Sequence, residues 1–397
     1  MIVRDLEHGI ELDLALPILG KLMSIPTGSK NHQNILVALD FITAVAKNHV
    51  DEILEIPSSL DDNPPLTILR VHGETKRRMA FIMHIDAVSN NTNFKIEDDF
   101  YIGQGSADNK ASIALILTLI QTERFKAISK FYTLDFIISP NEELGSLGHH
   151  DSFKYLSNDL DYVFGLEPSP CEGHLISSRN GNRWYNITFQ GIASHAGRFD
   201  DPSLNSCHEA SVFISELMAS FSYSHEYRIN VGHLATNTSG FNTVPEQTTL
   251  KLDTRFKKIE HADKIDLKIN ELLLKNSFRC HKTERMTFKA ISIADDCPPM
   301  EEKKMQGQDL GIIENLIQKY EHTPLQLIHS GGAADINYFD ARFSKLDGLG
   351  PIGGKMHTKD EFMSISSLKT RIFLLNDLIE QLGNVRRDYY VFKRNTT

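Results

Sequence analysis

The chain has 397 residues, 41% hydrophobic and 24% charged, which is the composition of folded domains and excludes a disordered, collagenous or coiled-coil chain. Its 42 basic and 52 acidic residues give a net charge of −10. The chain therefore lacks the basic footprint of a protein that binds nucleic acid or anionic membranes, and we expect neither as a partner.

Cysteine usage and the N-terminal residues bear on location. Four scattered cysteines form no CxxC pair, which favours unpaired thiols in a reducing compartment. No apolar run approaches the ~18 residues that span a bilayer. The first residues show no basic start followed by an apolar core, as a secretory signal would. We therefore expect a cytoplasmic protein.

The first part of the chain predicts helices, then strands that alternate with a helix. Apolar spacing indicates a helix that ends at Pro26 and a second helix at 35–46. A third helix is predicted at 109–125. Continuous apolar runs of the kind found in buried parallel strands lie at 79–85, 132–138 and 162–166. This alternation predicts an α/β domain with a central, mostly parallel sheet flanked by helices.

Beyond residue 178 the pattern changes to the alternation of half-exposed strands, and near 297–299 the first pattern returns. The middle block is predicted to be a small α+β domain with its own sheet, inserted into the first domain. The predicted domains are therefore 1–178 with 294–397, and 179–293. The remaining predictions are strands at 183–189, 248–256 and 285–293, helices at 209–221, 262–275, 308–320 and 365–382, and a frayed end at 386–397.

Acids and histidines follow the predicted buried strands or lie in Gly-rich loops, where open α/β sheets form their sites. Each has an ordinary interpretation when taken singly. Asp108 could cap a helix, Glu142 and Glu143 could form a solvated loop, and a His-x-Asp pair could be an ordinary hydrogen-bonded pair. The residues concerned are His84, Asp86, Asp108, Glu142, Glu143, Glu167 and His357.

Taken together, these residues offer enough nitrogen and oxygen ligands for two divalent cations that share a bridging carboxylate. Bringing so many acids together without cations would be strongly repulsive. Five segments carry them: HIDAV at 84–88, GQGSADNKA at 103–111, NEELGS at 141–146, GLEP at 165–168 and LDGLGPIGGKMHTKDE at 346–361. A sixth segment, SHAG at 194–197, lies between the last two.

In this order the segments resemble the co-catalytic zinc peptidase and deacylase family. That family contains glutamate carboxypeptidase, acetylornithine deacetylase and succinyl-diaminopimelate desuccinylase, and the last segment is most similar to the glutamate carboxypeptidase branch. The resemblance implies two Zn²⁺ ions, with Co²⁺ or Mn²⁺ as alternatives that such ligands accept. Asp108 would bridge both ions, Glu143 and His357 would complete one site, and His84 and Glu167 the other.

The resemblance also implies catalytic roles. Glu142 would be the general base that takes a proton from the bridging water, and Asp86 would orient His84. The peptide bond between Asp108 and Asn109 would be cis, as in the family.

The middle block, 179–293, would correspond to the family's lid or dimerisation domain, and a homodimer would form through it. From this domain His195 would help to stabilise the oxyanion, in dimers often that of the partner subunit. Asn242, Arg255 and, less securely, Arg179 match positions that hold substrate.

The implied activity is metal-dependent hydrolysis of an amide bond next to an amino acid with a free carboxylate. The substrate would be a small peptide or an N-acyl amino acid, so the enzyme would be a carboxypeptidase or a deacylase. Departures from the family at 237–238 and 296–299 leave the substrate open.

An alternative is a catalytically inactive relative that binds metal or ligand. A dinucleotide-binding loop at 348–353 is disfavoured because it contains Pro351 and precedes no apolar helix, and a serine hydrolase because no GxSxG is present.

Overall fold

The computed structural model of the chain describes residues 10–128, 130–170, 173–302 and 307–395. Two compact units are present. The first comprises Met1–Ser178, Glu302–Ser330 and Ala334–Thr397, and the second Arg179–Glu301 and Gly331–Ala333. Among the helices of the described ranges, none combines the length and apolarity needed to cross a bilayer. The cysteines within those ranges form no disulfide, and Cys171 lies outside them.

The helices, in chain order, are α1 Ile10–Met23, α2 His32–Ala46, α3 Ala111–Leu119, α4 Glu123–Ala127, α5 His150–Leu156, α6 Ser206–Ser220, α7 Ile259–Leu274, α8 Gln308–Glu321 and α9 Ile365–Asn395. The strands are β1 Glu52–Ile56, β2 Leu66–Val71, β3 Arg78–His84, β4 Lys95–Glu97, β5 Phe100–Ile102, β6 Thr133–Ser139, β7 Leu160–Gly165, β8 Leu175–Arg179, β9 Gly181–Gln190, β10 Ser194–His195, β11 Tyr227–Thr236, β12 Thr243–Val244, β13 Gln247–Phe256, β14 Phe288–Cys297, β15 Leu327–Ser330, β16 Ser344–Leu346, β17 Gly353–Gly354 and β18 Phe362–Ser364.

The first unit is built on a six-stranded sheet in the order β1-β2-β6-β3-β7-β16. The pairs of β3 with β6 and β7, and of β7 with β16, are parallel, whereas β1 and β2 add an antiparallel edge. Every residue of β6 and β7 is buried, as expected for strands covered on both faces. This sheet with its flanking helices confirms the predicted α/β fold class.

Helix α3 lies inside the first unit and packs against α1 and α9. All of its residues are buried, which explains why its sequence is apolar all round. Lys110, just before it, is 2% exposed and donates from Nζ to the backbone carbonyls of Leu22 (3.1 Å) and Ile25 (3.0 Å) at the end of α1. Burial lowers the pKa of Lys110 to about 8.

Two helix predictions were wrong at their ends. The helix predicted at 109–125 stops at Leu119, because Thr122 caps a separate helix, α4, by accepting from the backbone N–H of Phe125 (3.2 Å). The residues expected to fray instead continue α9 as far as Asn395. Arg386 holds this part of the helix, since its Nε donates to the Tyr162 hydroxyl at 3.0 Å.

The second unit contains the antiparallel sheet β11-β13-β9-β14. Alternate residues of β9 and β13 point into a core shared with α6 and α7, which pack on one face of the sheet. Trp184 lies on the other face, where its Nε1 donates to Asp253 at 2.9 Å. The edge strand β11 was not predicted, because most of its side chains are partly exposed and its apolar pattern is weak.

Candidate metal centre

The candidate site lies at the carboxyl end of β3, between the parallel strands β6 and β7. The last residue of β3, His84, is only 1% exposed. Its Nδ1 lies 3.1 Å from the backbone oxygen of Asp86 and 3.2 Å from the carboxylate Oδ1 of the same residue. These contacts fix the orientation of the imidazole and leave Nε2 to face the acids described next.

Asp108 faces His84 from the irregular helical turn Ser106–Lys110, which precedes α3. Asp108 and Asn109 have non-helical backbone angles there, and the peptide bond between them is cis, which confirms that prediction. The Oδ1 atom of Asp108 lies 2.9 Å from Nε2 of His84. Its Oδ2 atom lies 3.2 Å from Nε2 of His357. One carboxylate therefore faces two histidines.

Glu143 and Glu167 complete two groups of ligand atoms. Oε2 of Glu143 lies 3.3 Å from Nε2 of His357, and Oε1 of Glu167 lies 3.8 Å from Nε2 of His84. Within each group the ligand atoms all lie within 4.8 Å of one another. The first ligand group is His84, Asp108 and Glu167, and the second is Asp108, Glu143 and His357. The structure thus brings together all five residues that were expected to be ligands.

Glycines in the loop 348–354 allow it to approach the strand end that carries Glu167. A Cβ atom on Gly350 would lie 2.5 Å from the backbone oxygen of Leu166 and 2.7 Å from that of Glu167. His357 follows this loop with φ of 65°, in the left-handed region that few residues other than glycine adopt. Such backbone outliers concentrate at functional sites, where the surroundings hold them in place.

Charge interactions at the site are strong. Burial would raise the pKa of Asp108, but hydrogen bonds from His357 and His84 outweigh it and hold that pKa well below its usual value. The hydrogen bond to Asp108 raises the pKa of His357 to about 9. Burial and the charge of Asp108 raise the pKa of Glu143 to about 7. Crowded carboxylates that face imidazole nitrogens form a donor set that fits divalent cations, whose charge would relieve the repulsion.

Asp86 and Glu142 lie beside these candidate ligands. The buried carboxylate of Asp86 accepts the backbone N–H of Glu142 at 3.0 Å and that of Glu143 at 3.2 Å. Burial raises the pKa of the Glu142 carboxyl well above its usual value, and the charge of Glu167 adds to this effect, against that of His84. A carboxylate with a raised pKa is suited to accept a proton near neutral pH.

The other predicted site residues belong to the second unit. His195 is exposed and pairs with Thr243 in the β10–β12 ladder, and the backbone oxygen of Asn242 accepts the next N–H, that of residue 196, at 2.8 Å. The Arg255 guanidinium lies beside Asp253, with Nε 2.9 Å from Oδ1. Arg179 is buried, and its Nη1 donates to the backbone oxygen of residue 332 at 3.1 Å.

Sequence reasoning missed three buried acids of the first unit. Asp335 accepts a hydrogen bond from Ser146, in the loop that follows Glu142, and burial raises the pKa of Asp335 to about 6. Asp347 and Glu361 accept hydrogen bonds from backbone N–H groups next to the ligands. Both lie in the segment at 346–361 that carried the resemblance, so their acidic character in a Gly-rich segment was the available signal.

Comparison with known proteins identifies relatives of the chain. The family model described as Peptidase family M20/M25/M40 matches residues 80–381. Carboxypeptidase G2 of Pseudomonas sp. (strain RS-16) is 24% identical in an alignment that covers 94% of this chain and 90% of that protein.

Solved structures share the fold. A tripeptidase from Staphylococcus aureus subsp. aureus Mu50 superposes with a TM-score of 0.76 at 17% identity, over 94% of this chain and 99% of that one. An M20 family metallo-carboxypeptidase from Sulfolobus solfataricus superposes with a TM-score of 0.74 at 14% identity, over 93% of this chain and 99% of that one.

Proposed function

Because the chain belongs to peptidase family M20/M25/M40, as the motifs predicted, and is a metallopeptidase, we propose that it cleaves an amide bond next to an amino acid with a free carboxylate. The substrate would be a small peptide or an N-acyl amino acid, as in a carboxypeptidase or a deacylase. The observation that carries this proposal is the pair of ligand groups that share Asp108, with Glu142 next to the ligand Glu143.

The donor set fits two Zn²⁺ ions, with Co²⁺ or Mn²⁺ as alternatives. His84, Asp108 and Glu167 would hold one ion, and Asp108, Glu143 and His357 the other. Bound there, a pair of ions would supply Lewis-acid polarisation of the scissile carbonyl and a lowered pKa for water.

The side chains of the first unit then have distinct tasks. Asp86 keeps His84 in one orientation through the two contacts to Nδ1. Glu142 would take the proton from the attacking water and return it to the leaving amine. Its raised pKa, caused first by burial, suits both transfers, because a general base works best when its pKa lies near the working pH.

Roles in the second unit also form part of the proposal. We infer that this unit is the lid and dimerisation domain, and the first unit the catalytic domain of a cytoplasmic homodimer. His195, exposed on its short strand, would stabilise the oxyanion. Asn242, Arg255 and Arg179 would bind substrate, with an arginine suited to the free carboxylate.

A hydrolysis screen tests the activity. N-acetyl and N-succinyl amino acids and peptides ending in glutamate are offered to the protein with Zn²⁺, and again after complete metal removal with a chelator. We expect hydrolysis only with metal. Activity that survives metal removal would contradict the metal-dependent reaction, and no hydrolysis of any compound would favour the inactive relative.

A matched pair of variants tests the base. Glu142→Gln removes the proton acceptor but retains the shape of the side chain, and it should lower kcat by about 10²–10⁴-fold with the bound metal unchanged. Glu314→Gln, at an exposed position of α8, is the control and should retain full activity. A wild-type rate in Glu142→Gln would exclude Glu142 as the base.

A further inference from the structure

Three turns of the first unit carry the acidic ligands, and a buried carboxylate holds each turn by its backbone. Asp86 holds the turn of Glu143, as described above. The other two carboxylates, Asp347 and Glu361, have no assigned role. Hydrogen bonds to its backbone N–H groups hold a turn in place. A carboxylate that accepts two of them therefore fixes the position from which the ligand side chain extends.

Glu361 holds the turn of the shared ligand. Its Oε1 atom accepts the backbone N–H of Ala107 at 2.9 Å and that of Asp108 at 3.0 Å. Glu361 is 1% exposed, so water does not compete for these hydrogen bonds. Asp108 belongs to both ligand groups, and a shift of its backbone would disturb both.

Asp347 holds the turn of Glu167 in the same way. Its Oδ1 atom accepts the backbone N–H of Glu167 at 3.2 Å and that of Gly348 at 2.6 Å, and the residue is fully buried. Gly165 makes room for this carboxylate, because a Cβ atom there would lie 2.1 Å from Oδ1. Glu167 belongs to the first ligand group only.

We propose that Asp347 and Glu361 are positioning residues that set metal affinity at different sites. Asp347 acts on the first ligand group through Glu167, whereas Glu361 acts on both groups through Asp108. This inference rests on the proposed function, since it concerns the same pair of metal ions.

The test counts bound metal and requires no substrate. Metal-free protein is equilibrated against buffered free Zn²⁺, and the bound ions per chain are measured by elemental analysis. Asp347→Ala should weaken one of two binding constants by about 10–100-fold, the range for residues that support metal ligands, and leave the other unchanged. Glu361→Ala should weaken both constants by a similar factor.

The conservative variants separate hydrogen bonding from general damage. Asp347→Asn and Glu361→Gln each retain one acceptor oxygen, and a single oxygen accepts both N–H groups in each case. Since bonds to a charged acceptor are about twice as strong as neutral ones, we expect losses of about 3–10-fold at the same sites. If the alanine variants do not fold, the Zn²⁺ binding constants of Asp347→Asn and Glu361→Gln test the inference instead.

Two exposed acids serve as controls. Asp340→Asn and Asp360→Asn remove a charge close in sequence to each positioning residue and should bind two ions as the wild type does. The inference would be overturned if all four variants of Asp347 and Glu361 bound Zn²⁺ with wild-type constants. It would also be overturned if Asp347→Ala weakened Zn²⁺ binding equally at both sites. Wild-type protein that takes up no pair of ions would instead refute the proposed function and the inference with it.

Discussion

The substitution Gly165→Ala tests the packing around Asp347 with one added methyl group. Gly165 ends β7, and a Cβ atom there would lie 2.1 Å from Oδ1 and 2.3 Å from Cγ of Asp347. Carbon and oxygen atoms that are not bonded do not approach so closely, so the Asp347 carboxylate must move away from the N–H of Glu167.

The size of the effect follows from two contributions. Overpacking of a filled core costs about 1–3 kcal/mol. Loss of the partly buried hydrogen bond from the N–H of Glu167 to a charged acceptor costs about 1.5–3 kcal/mol. The first unit should therefore lose about 2.5–6 kcal/mol of unfolding free energy. For a urea m-value of about 3 kcal/mol/M, the unfolding midpoint would fall by about 1–2 M.

Gly311→Ala is the matched control. Gly311 lies in α8, and a Cβ atom there meets no atom within 4 Å. The same added methyl group should stabilise this helix by about 0.5–1 kcal/mol, because alanine loses less backbone entropy than glycine. The two substitutions are thus expected to have opposite signs.

Urea unfolding followed by two signals provides the measurement. Far-ultraviolet circular dichroism follows the helices of both units, most of which lie in the first unit, and that unit contains both glycines. Trp184, the one tryptophan of the sequence, lies in the second unit, and its fluorescence follows that unit. A loss below about 1 kcal/mol in Gly165→Ala, which is less than overpacking alone would cause, would refute the reasoning.

Three further predictions concern stability. Asp135 is fully buried between Arg70 (Nε–Oδ1 2.6 Å) and Arg78. Asp135→Asn should therefore lower the free energy of unfolding in urea by about 3 kcal/mol, whereas Asp151→Asn, at an exposed position, should have no effect. Equal unfolding free energies in the two variants would contradict this prediction. Burial raises the pKa of Asp377, but hydrogen bonds from Lys319 and Tyr320 outweigh it and leave that pKa below its usual value. Asp377→Asn should therefore destabilise the protein at neutral pH, and the difference should shrink as the pH falls below about 4; a difference that is independent of pH would exclude this cause. Zn²⁺ at 100 times its dissociation constant should stabilise the folded protein by about 2.7 kcal/mol per site, seen as a rise in Tm that a chelator reverses.

The fold class could be predicted because buried parallel strands have a distinctive apolar sequence. β3, β6 and β7 are buried over nearly their whole length, and each appears in the sequence as an apolar run. The strands β1, β2 and β11 were missed, since β1 and β11 are partly exposed and β2 forms antiparallel pairs near the edge of its sheet. Their pairing depends on contacts that no local pattern records.

The candidate ligands Glu143 and Glu167 could be located because they follow β6 and β7, and parallel strands bring their carboxyl ends to one edge. Asp347 and Glu361 could not be assigned in this way. Asp347 accepts from a backbone N–H 180 residues earlier in the chain, and Glu361 from one 254 residues earlier. A backbone N–H is present at almost every residue, so the sequence gives no sign of which one a distant acid will meet.

The ammonium group of Lys110 makes the first helix part of the centre's support. Its two acceptors are the carbonyls of Leu22, in the last turn of α1, and of Ile25, two residues after that helix, and Lys110 lies two residues after Asp108. A shortened chain that lacks the residues up to Ile25 would lose both carbonyl acceptors of this ammonium group, together with the helix that packs against α3. Trimming the N-terminus for expression or crystallisation would therefore disturb the turn that carries Asp108, although none of the deleted residues belongs to the two candidate ligand groups.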